Sequence, residues 1–209
     1  MINRRKFLAT TASATVLGAA QASAHAIGQP YVLPEEYMPR IVRVRESFVA
    51  GELYVDPNQF AIYWTLGESR AMRYTVGVGR GDLYHSGEFY VARKQEWPDW
   101  RPTPAMMERN PTAYEAFAEG GIYEDGRQPG GISNPLGARA LYLFNVRTRR
   151  DTYLRIHGTN NPRTIGVAVS NGCARLINPQ VEELYAMVPN GTRVVLFPKA
   201  GAGPSHSHL

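Results

Sequence analysis

The amino-acid sequence predicts an all-β sandwich or barrel with one or two short helices. Eight short apolar or alternating runs are rich in β-branched and aromatic residues, and Gly, Pro, Asn and Asp stand between them. A chain of 209 residues, 44% of them hydrophobic, is long enough to bury one core as a single domain. The runs cover residues 41–44, 53–55, 60–64, 74–79, 89–92, 140–144, 153–156 and 193–197.

Two segments interrupt the β pattern. Residues 111–119 predict a short helix inside a long insertion. Residues 178–187 predict a longer helix, because apolar side chains recur there at helical spacing, Pro179 suits the first turn and Asn178 can cap the start. This helix begins soon after the one cysteine, so we expect it to pack beneath that residue.

The insertion between Lys94 and Gly137 is rich in Pro, Gly and aromatic residues. A long irregular segment in a compact β domain is usually functional, so Trp97 and Trp100 are candidates for a lid or for the wall of a substrate groove. The alternative is a satellite core in which the two tryptophans simply pack.

The first 24 residues have the features of an export signal. Paired arginines precede Phe-Leu, a short apolar stretch follows, and Ala22-Ser23-Ala24 has the form of a signal-peptidase site. The pair resembles a twin-arginine signal, and an ordinary secretory signal is the alternative. The apolar run is too short to span a bilayer, so the mature protein is expected in the periplasm without a transmembrane segment. We expect an extended leader at 25–40, one domain at 41–198 and a disordered tail at 199–209.

The charge of the chain does not indicate a nucleic-acid partner. Residues 1–24 carry three basic residues and no acid, so their removal lowers the formal charge from +5 to +2. No block of basic residues remains. A mild positive field would still favour an anionic polymer near the cell surface.

Cys173 is the one cysteine, so no intramolecular disulfide is expected. A lone thiol in an exported protein is either buried and inert or retained because it reacts. Gly172 precedes it, and the N–H groups of Gly172 and Cys173 could bind an oxyanion. Arg175 would lie on the same face in extended chain, where it could hold a substrate carboxylate or brace the loop.

His157 is the candidate base for this thiol. It follows a predicted strand, precedes Gly158 and stands sixteen residues before Cys173, whereas the other histidine inside the predicted domain, His85, is farther away. A histidine that hydrogen-bonds a thiol both lowers its pKa and accepts its proton. One cysteine and one nearby histidine are too few ligands for a metal site, so no metal or cofactor is expected.

These residues resemble the signature of the L,D-transpeptidase catalytic domain (YkuD-type) family. That signature is His-Gly, a mid-teens gap, and Ser/Thr-x-Gly-Cys-x-Arg/Asn; here it is HGTN at 157–160 and SNGCARL at 170–176. The resemblance extends over about residues 40–198. Many relatives have His at the position of Asn171, which cannot act as a base, so His157 is left as the candidate.

The resemblance implies a fold and a set of site residues. The fold is a β-sandwich of mixed sheets with one or two short helices and a long capping insertion. Cys173 would be the nucleophile, His157 the base and then the acid, and the Gly158 carbonyl the group that orients the imidazole. Gly172 and Cys173 would form the oxyanion hole within a loop that also contains Ser170, Asn171 and the motif arginine Arg175.

The resemblance also implies a reaction on peptidoglycan stem peptides. The cysteine would attack the L-centre carbonyl of the position-3 diamino acid and release D-Ala, and an amine of a neighbouring stem would complete a 3→3 cross-link. With water as acceptor the protein would be an L,D-carboxypeptidase. With the amine of an outer-membrane protein or a lipoprotein it would be an anchoring enzyme. A non-catalytic wall-binding module with a structural thiol is the remaining alternative.

Overall fold

A computed structural model describes residues 31–45 and 48–201. The predicted export signal at 1–24, residues 25–30 of the predicted leader and residues 202–209 of the predicted tail lie outside the described residues. The structure is mainly β, as predicted. Its strands are β1 Arg40–Arg43, β2 Leu53–Asp56, β3 Ala61–Gly67, β4 Arg70–Thr75, β5 Val78–Gly79, β6 Gly87–Glu96, β7 Arg139–Asn145, β8 Asp151–His157, β9 Ala168–Ser170, β10 Ala174–Arg175 and β11 Arg193–Leu196.

Nine strands form one mixed sheet and two form a small parallel sheet. The order in the large sheet is β1-β4-β3-β2-β11-β6-β7-β8-β10, and the small sheet pairs β5 with β9. In the large sheet, β11 with β2 and β10 with β8 are parallel, and the other pairs are antiparallel. A bridge between Gly77 and Arg175 links the two sheets beside the cysteine loop.

The core explains the alternating runs in the sequence. Apolar side chains from both sheets meet in one cluster, which excludes water and stabilises the sheets in this register. Its fully buried members include Leu53, Ile62, Val76, Val78, Val91, Leu141, Ile156, Leu176, Val181 and Leu184. The predicted run at 74–79 covers parts of two strands, because β4 ends at Thr75 and β5 of the small sheet begins at Val78.

Helices α1 Pro104–Arg109 and α2 Asn178–Met187 are the two α-helices of the described residues. The bounds of α2 match the predicted helix, and Val181, Leu184 and Val188 bury its apolar face; α2 packs against β7. Helix α1 was not predicted. Thr103 caps it by accepting from the Met106 N–H, and a 3-10 helix at Thr112–Phe117 follows within the segment predicted as a short helix.

Two local predictions are wrong. Asn178 does not cap α2: Ile177 is at the N-cap position without a side-chain hydrogen bond, and Asn178 is the first helical residue. The leader is not simply extended between residues 31 and 40, because Glu35–Tyr37 form a 3-10 helix and Tyr37 lies over Gly166, where a Cβ would come within 2.6 Å of the tyrosine oxygen. This contact fastens the start of the described chain to the loop after His157.

Candidate active site

Cys173 directly precedes β10, and His157 is the last residue of the neighbouring parallel strand β8. In the register of β8 and β10, Arg175 is opposite His157 and Ala174 is opposite Ile156, so Cys173 comes beside Arg155. Ile156 and Ala174 face the core, so Cys173, Arg155, His157 and Arg175 are on the other face by alternation. The thiol and the imidazole are therefore one strand apart across the sheet and two residues apart along it.

A backbone carbonyl fixes the His157 ring. Its Nδ1 is 2.5 Å from the Gly158 carbonyl oxygen. A carbonyl can only accept, so Nδ1 carries the proton and Nε2 is left as the proton acceptor. The ring is buried, with 3% of the residue exposed. The arrangement provides an imidazole in the tautomer that a general base requires.

The His157 imidazole is neutral at physiological pH. Burial of the ring, followed by the positive charge of Arg175, lowers the pKa of His157 to about 3. The hydrogen bond to the Gly158 carbonyl raises this pKa, but by less. Desolvation favours the uncharged form of a base. The ring is therefore unprotonated across the whole physiological range, and a pKa this low makes it a weak proton acceptor in this conformation.

The thiol of Cys173 lies against the backbone of β8. Its sulfur is 3.8 Å from the Tyr153 carbonyl oxygen, to which the S–H donates, and the Arg155 N–H also bonds the sulfur. Cys173 is a free, partly exposed cysteine. The thiol is therefore held at the sheet surface and is not enclosed in the apolar core.

The resting thiol is protonated. Burial of the sulfur raises the pKa of Cys173, and the positive charges of Arg155 and Arg175 lower it by less. In this conformation the S–H bonds the Tyr153 carbonyl, and no hydrogen bond joins it to the described His157 ring. The predicted role of His157 as the base for this thiol stays a prediction, because in this conformation the thiol bonds the Tyr153 carbonyl and the imidazole bonds the Gly158 carbonyl.

The loop before Cys173 is braced from within. The Ser170 hydroxyl donates to the Cys173 carbonyl at 2.6 Å and accepts the Gly172 N–H at 3.2 Å. Ser170 is 1% exposed, so it braces the loop and does not face a substrate. The oxyanion hole was predicted to use the Gly172 N–H, but in this conformation that N–H is bonded to the Ser170 hydroxyl. It could bind an oxyanion only after this bond breaks.

The surroundings of Gly172 require a glycine. Its φ is +125°, and a Cβ would lie 2.9 Å from the Leu154 side chain and 2.9 Å from the Leu83 carbonyl oxygen. Protein atoms therefore fill the space beside Gly172, and any side chain would displace the cysteine loop.

Arg175 lies between the two sheets with no acidic partner among residues 31–45 and 48–201. Its guanidinium donates to the Thr164 hydroxyl at 3.5 Å, and its buried Nε has no hydrogen-bond partner in the described structure. Burial lowers the pKa of Arg175 and the nearby Cys173 raises it. An unpaired guanidinium near the sulfur provides a positive charge for an anionic group.

The insertion contacts the cysteine loop at Asn171. Arg109, at the end of α1, donates to the Asn171 side-chain oxygen at 2.7 Å, and the Asn171 amide donates to the Tyr114 hydroxyl at 3.5 Å. No sequence pattern indicated Arg109 or Tyr114, because they stand about 60 residues before Asn171 in an irregular segment. The predicted role of Asn171 near a substrate stays a prediction.

Trp97 and Trp100 differ in their surroundings. Trp100 packs edge-on against Phe117, with ring centroids 5.0 Å apart, and tilts against Tyr114 at 6.1 Å, so it belongs to an aromatic cluster within the insertion. This packing is the satellite-core alternative. Trp97 is 46% exposed, and its backbone N–H donates to the Ala138 carbonyl just before β7. Its predicted role as a lid or wall stays a prediction.

Asn178 holds the turn that follows His157. Its side-chain oxygen accepts the Ala138 N–H at 3.0 Å and the Thr159 N–H at 3.2 Å. A Cβ at Gly158 would come within 2.3 Å of this oxygen. The start of β7, the His157 turn and α2 are thus joined at one atom, a link that sequence reasoning missed because it assigned Asn178 to the helix cap.

The described residues provide neither a metal cluster nor a membrane-spanning helix. No three His, Cys, Asp or Glu side chains in that part of the chain are arranged to hold a metal ion. No helix there is long and apolar enough to cross a bilayer.

The model of the L,D-transpeptidase catalytic domain (YkuD) matches residues 51–196. The chain belongs to the L,D-transpeptidase family. A Fuscovulum blasticum protein named an L,D-transpeptidase in the ATP synthase subunits region is 32% identical over 87% of this chain and 94% of its own length. ErfK/SrfK of Escherichia coli K12, also named an L,D-transpeptidase, is 30% identical over 82% of this chain, but this chain spans only 48% of it.

Solved structures place the fold in the same group. The carbamoyl enzyme formed by Ldtfm with avibactam has a TM-score of 0.52 at 17% identity, over 73% of this chain and 51% of that one, and shows the fold alone. A Brucella melitensis protein named a carnitine operon oxidoreductase is 39% identical over 79% of this chain and 96% of that one, with a TM-score of 0.51.

Proposed function

We propose that this family member is a cysteine-dependent peptidoglycan L,D-transpeptidase of the periplasm. One observation carries the proposal: the one cysteine and a neutral, backbone-oriented imidazole share a sheet face, one strand apart across the sheet and two residues apart along it. Family membership supports the reaction class. The neutral pair supports a base that acts during attack and not before it.

The proposed reaction begins with the acyl donor. As the Cys173 sulfur attacks the L-centre carbonyl of the position-3 diamino acid of a stem tetrapeptide, His157 Nε2 takes the thiol proton. The tetrahedral intermediate then collapses, and the departing D-Ala amine takes that proton from the imidazolium. A thioester to Cys173 remains. The positive charges of Arg155 and Arg175 favour the negative charge that develops on sulfur and oxygen.

The acceptor completes the cycle. An amine of a second stem peptide attacks the thioester, gives its proton to His157, and expels the Cys173 sulfur, which is reprotonated. The product is a 3→3 cross-link. Water in place of the amine would make the protein an L,D-carboxypeptidase, and an amine of an outer-membrane protein or a lipoprotein would make it an anchoring enzyme.

Acylation tests the nucleophile. The protein is mixed with a carbapenem and with a stem tetrapeptide, and intact mass is measured for the wild type, Cys173→Ala and His157→Gln. We expect an adduct on the wild type, none on Cys173→Ala and a strongly slowed one on His157→Gln. An adduct on Cys173→Ala would refute the assignment. A structural cysteine and a cysteine that is activated only on substrate binding both have a raised thiol pKa at rest. Acylation therefore distinguishes these two kinds of cysteine, whereas alkylation of the resting protein does not.

Product analysis tests the acceptor. The same tetrapeptide is supplied alone and with a second stem peptide. A cross-linked dimer that depends on the second stem supports transpeptidation, whereas tripeptide without dimer supports the carboxypeptidase.

The proposed location has its own test. Replacing Arg4 and Arg5 by lysine should hold the protein in the cytoplasm if export uses the twin-arginine route. Cell fractionation measures this, and unchanged periplasmic recovery would indicate the ordinary secretory route instead.

A further inference from the structure

Strand β8 contains a wide bulge beside the cysteine. Its pairing with β7 shifts between Tyr142–Arg155 and Phe144–Asp151, so that one residue of β7 is opposite three residues of β8. Tyr153, inside this bulge, has a φ of +59°. This left-handed conformation is costly for an aromatic residue and is normally occupied by glycine.

Side chains on both sides of Tyr153 hold it in this conformation. The Asp151 carboxylate accepts a hydrogen bond from the Tyr153 N–H at 2.8 Å. It also accepts hydrogen bonds from both terminal nitrogens of Arg155, at 2.7 and 2.8 Å. The Thr152 hydroxyl donates to the Leu143 carbonyl at 2.6 Å and accepts the Leu154 N–H at 3.2 Å. Strain maintained by such a network is found mainly at functional sites, and bulges often redirect a side chain there.

The bulge has two consequences at the thiol. It directs the Tyr153 carbonyl to the Cys173 sulfur, and it leaves the Tyr153 side chain in solvent, with 68% of the residue exposed. No aromatic, cationic or hydrogen-bonding partner of the ring occurs within the described chain. The carbonyl contact needs only backbone, which glycine would supply with less strain, so the contacts within the protein do not account for the ring.

We propose that Tyr153 determines specificity for the acyl donor, its ring forming the wall of the groove on which the stem peptide lies. The proposal rests on the proposed function. The donor is assigned because it becomes bonded to Cys173, whose sulfur contacts the same residue. A tyrosine ring provides an apolar face for the aliphatic part of the diamino acid and for planar peptide bonds, and a hydroxyl for their polar groups.

Tyr153→Gly separates the ring from the backbone, because glycine adopts this φ without strain. We expect its melting temperature to equal or exceed that of the wild type, while KM for a tetrapeptide donor, measured by D-Ala release, rises about tenfold. Tyr153→Phe keeps the ring face and should stay within about threefold of the wild type, because an exposed hydroxyl adds little. Glu68→Gly is the matched control: its φ is +51° in the β3–β4 turn, far along the sheet from Cys173.

The rate of iodoacetamide alkylation is measured on the same proteins to read the thiol directly. An unchanged alkylation rate together with a raised KM for the donor supports the proposal that the Tyr153 ring forms the groove wall. An unchanged donor KM in Tyr153→Gly would overturn the proposal with the transpeptidase intact. Altered alkylation that accounts for the whole activity change would also overturn it, since Tyr153 would then act through the thiol position. A wild type that releases no D-Ala would instead overturn the proposed function.

Discussion

The side-chain oxygen of Asn178 occupies the space that a side chain at position 158 would need. A Cβ at Gly158 would lie 2.3 Å from that oxygen and 3.0 Å from the Ala138 nitrogen. The oxygen accepts two N–H groups, one of them directly after the turn at Gly158. The glycine that follows the candidate base is thus required by a residue twenty positions later, at the first turn of α2.

This relationship predicts a non-additive mutant cycle. Asn178→Ala leaves the Ala138 and Thr159 N–H groups without their acceptor and should lower the free energy of unfolding by about 1–3 kcal/mol. Gly158→Ala should also destabilise the protein, but by less when position 178 is already alanine, because the contact at 2.3 Å is then absent. Urea unfolding measures both. Asn160→Ala, which removes a single exposed bond to the Ser133 carbonyl, is the control, and strict additivity would contradict the account.

The neutral imidazole predicts a pH dependence of stability. The folded pKa of His157 is about 3, below the value of about 6.5 for an unfolded histidine, so between these values the unfolded chain binds the extra proton. Stability from this group is complete above about pH 6.5 and falls as the pH is lowered toward 3, by up to about 1.4 kcal/mol per unit. His157→Gln removes the group. The difference in unfolding free energy between wild type and variant should therefore shrink from pH 7 to pH 4, and a constant difference would count against a buried neutral ring.

Arg155 predicts a shift in thiol reactivity. Its charge lowers the pKa of Cys173 against the larger effect of burial, so Arg155→Met should move the alkylation midpoint to higher pH. Because this change also leaves the Asp151 carboxylate unpaired, Arg155→Met is compared with Arg155→Met/Asp151→Asn, and both should shift upward. Arg163→Met, at an exposed arginine whose guanidinium is over Tyr31, is the control. A midpoint that does not move would exclude an electrostatic role for Arg155.

The sequence contained enough information for most of the strands, for α2 and for membership of the family. Alternation specifies which side chains are buried, and the bounds 178–187 followed from apolar spacing. It did not reveal α1, whose six residues contain none that is buried and so show no core-facing pattern. Strands β9 and β10 were also missed, since three and two residues are too few to show alternation.

The site was predicted as residue types and not as contacts. The signature identified Cys173, His157 and Gly158, yet the bond of the thiol to the Tyr153 carbonyl depends on a bulge that shows only in the pairing of β7 with β8. Long-range bonds such as Asn178 to Thr159 have no local sequence signal. The chemistry of the residues was therefore predictable, whereas their resting hydrogen bonds depend on tertiary packing.

The contact between Arg109 and Asn171 yields a prediction about the insertion. It joins α1 to the cysteine loop by one charged hydrogen bond of 2.7 Å at an exposed site, so its coupling should be modest, about 0.5–1.5 kcal/mol. Arg109→Ala and Asn171→Ala should each increase amide hydrogen exchange over residues 104–117, and the double variant should add little to either. Arg101→Ala is the control, because Arg101 bonds the Asp125 carbonyl within the insertion.

The same variants show whether this contact restrains access to the thiol. If it does, iodoacetamide alkylation of Cys173 should be faster in Arg109→Ala and Asn171→Ala than in Arg101→Ala. Exchange that increases equally in all three would mean that the insertion loosens as a whole. The bond to Asn171 would then have no separate part in positioning the insertion over the cysteine loop.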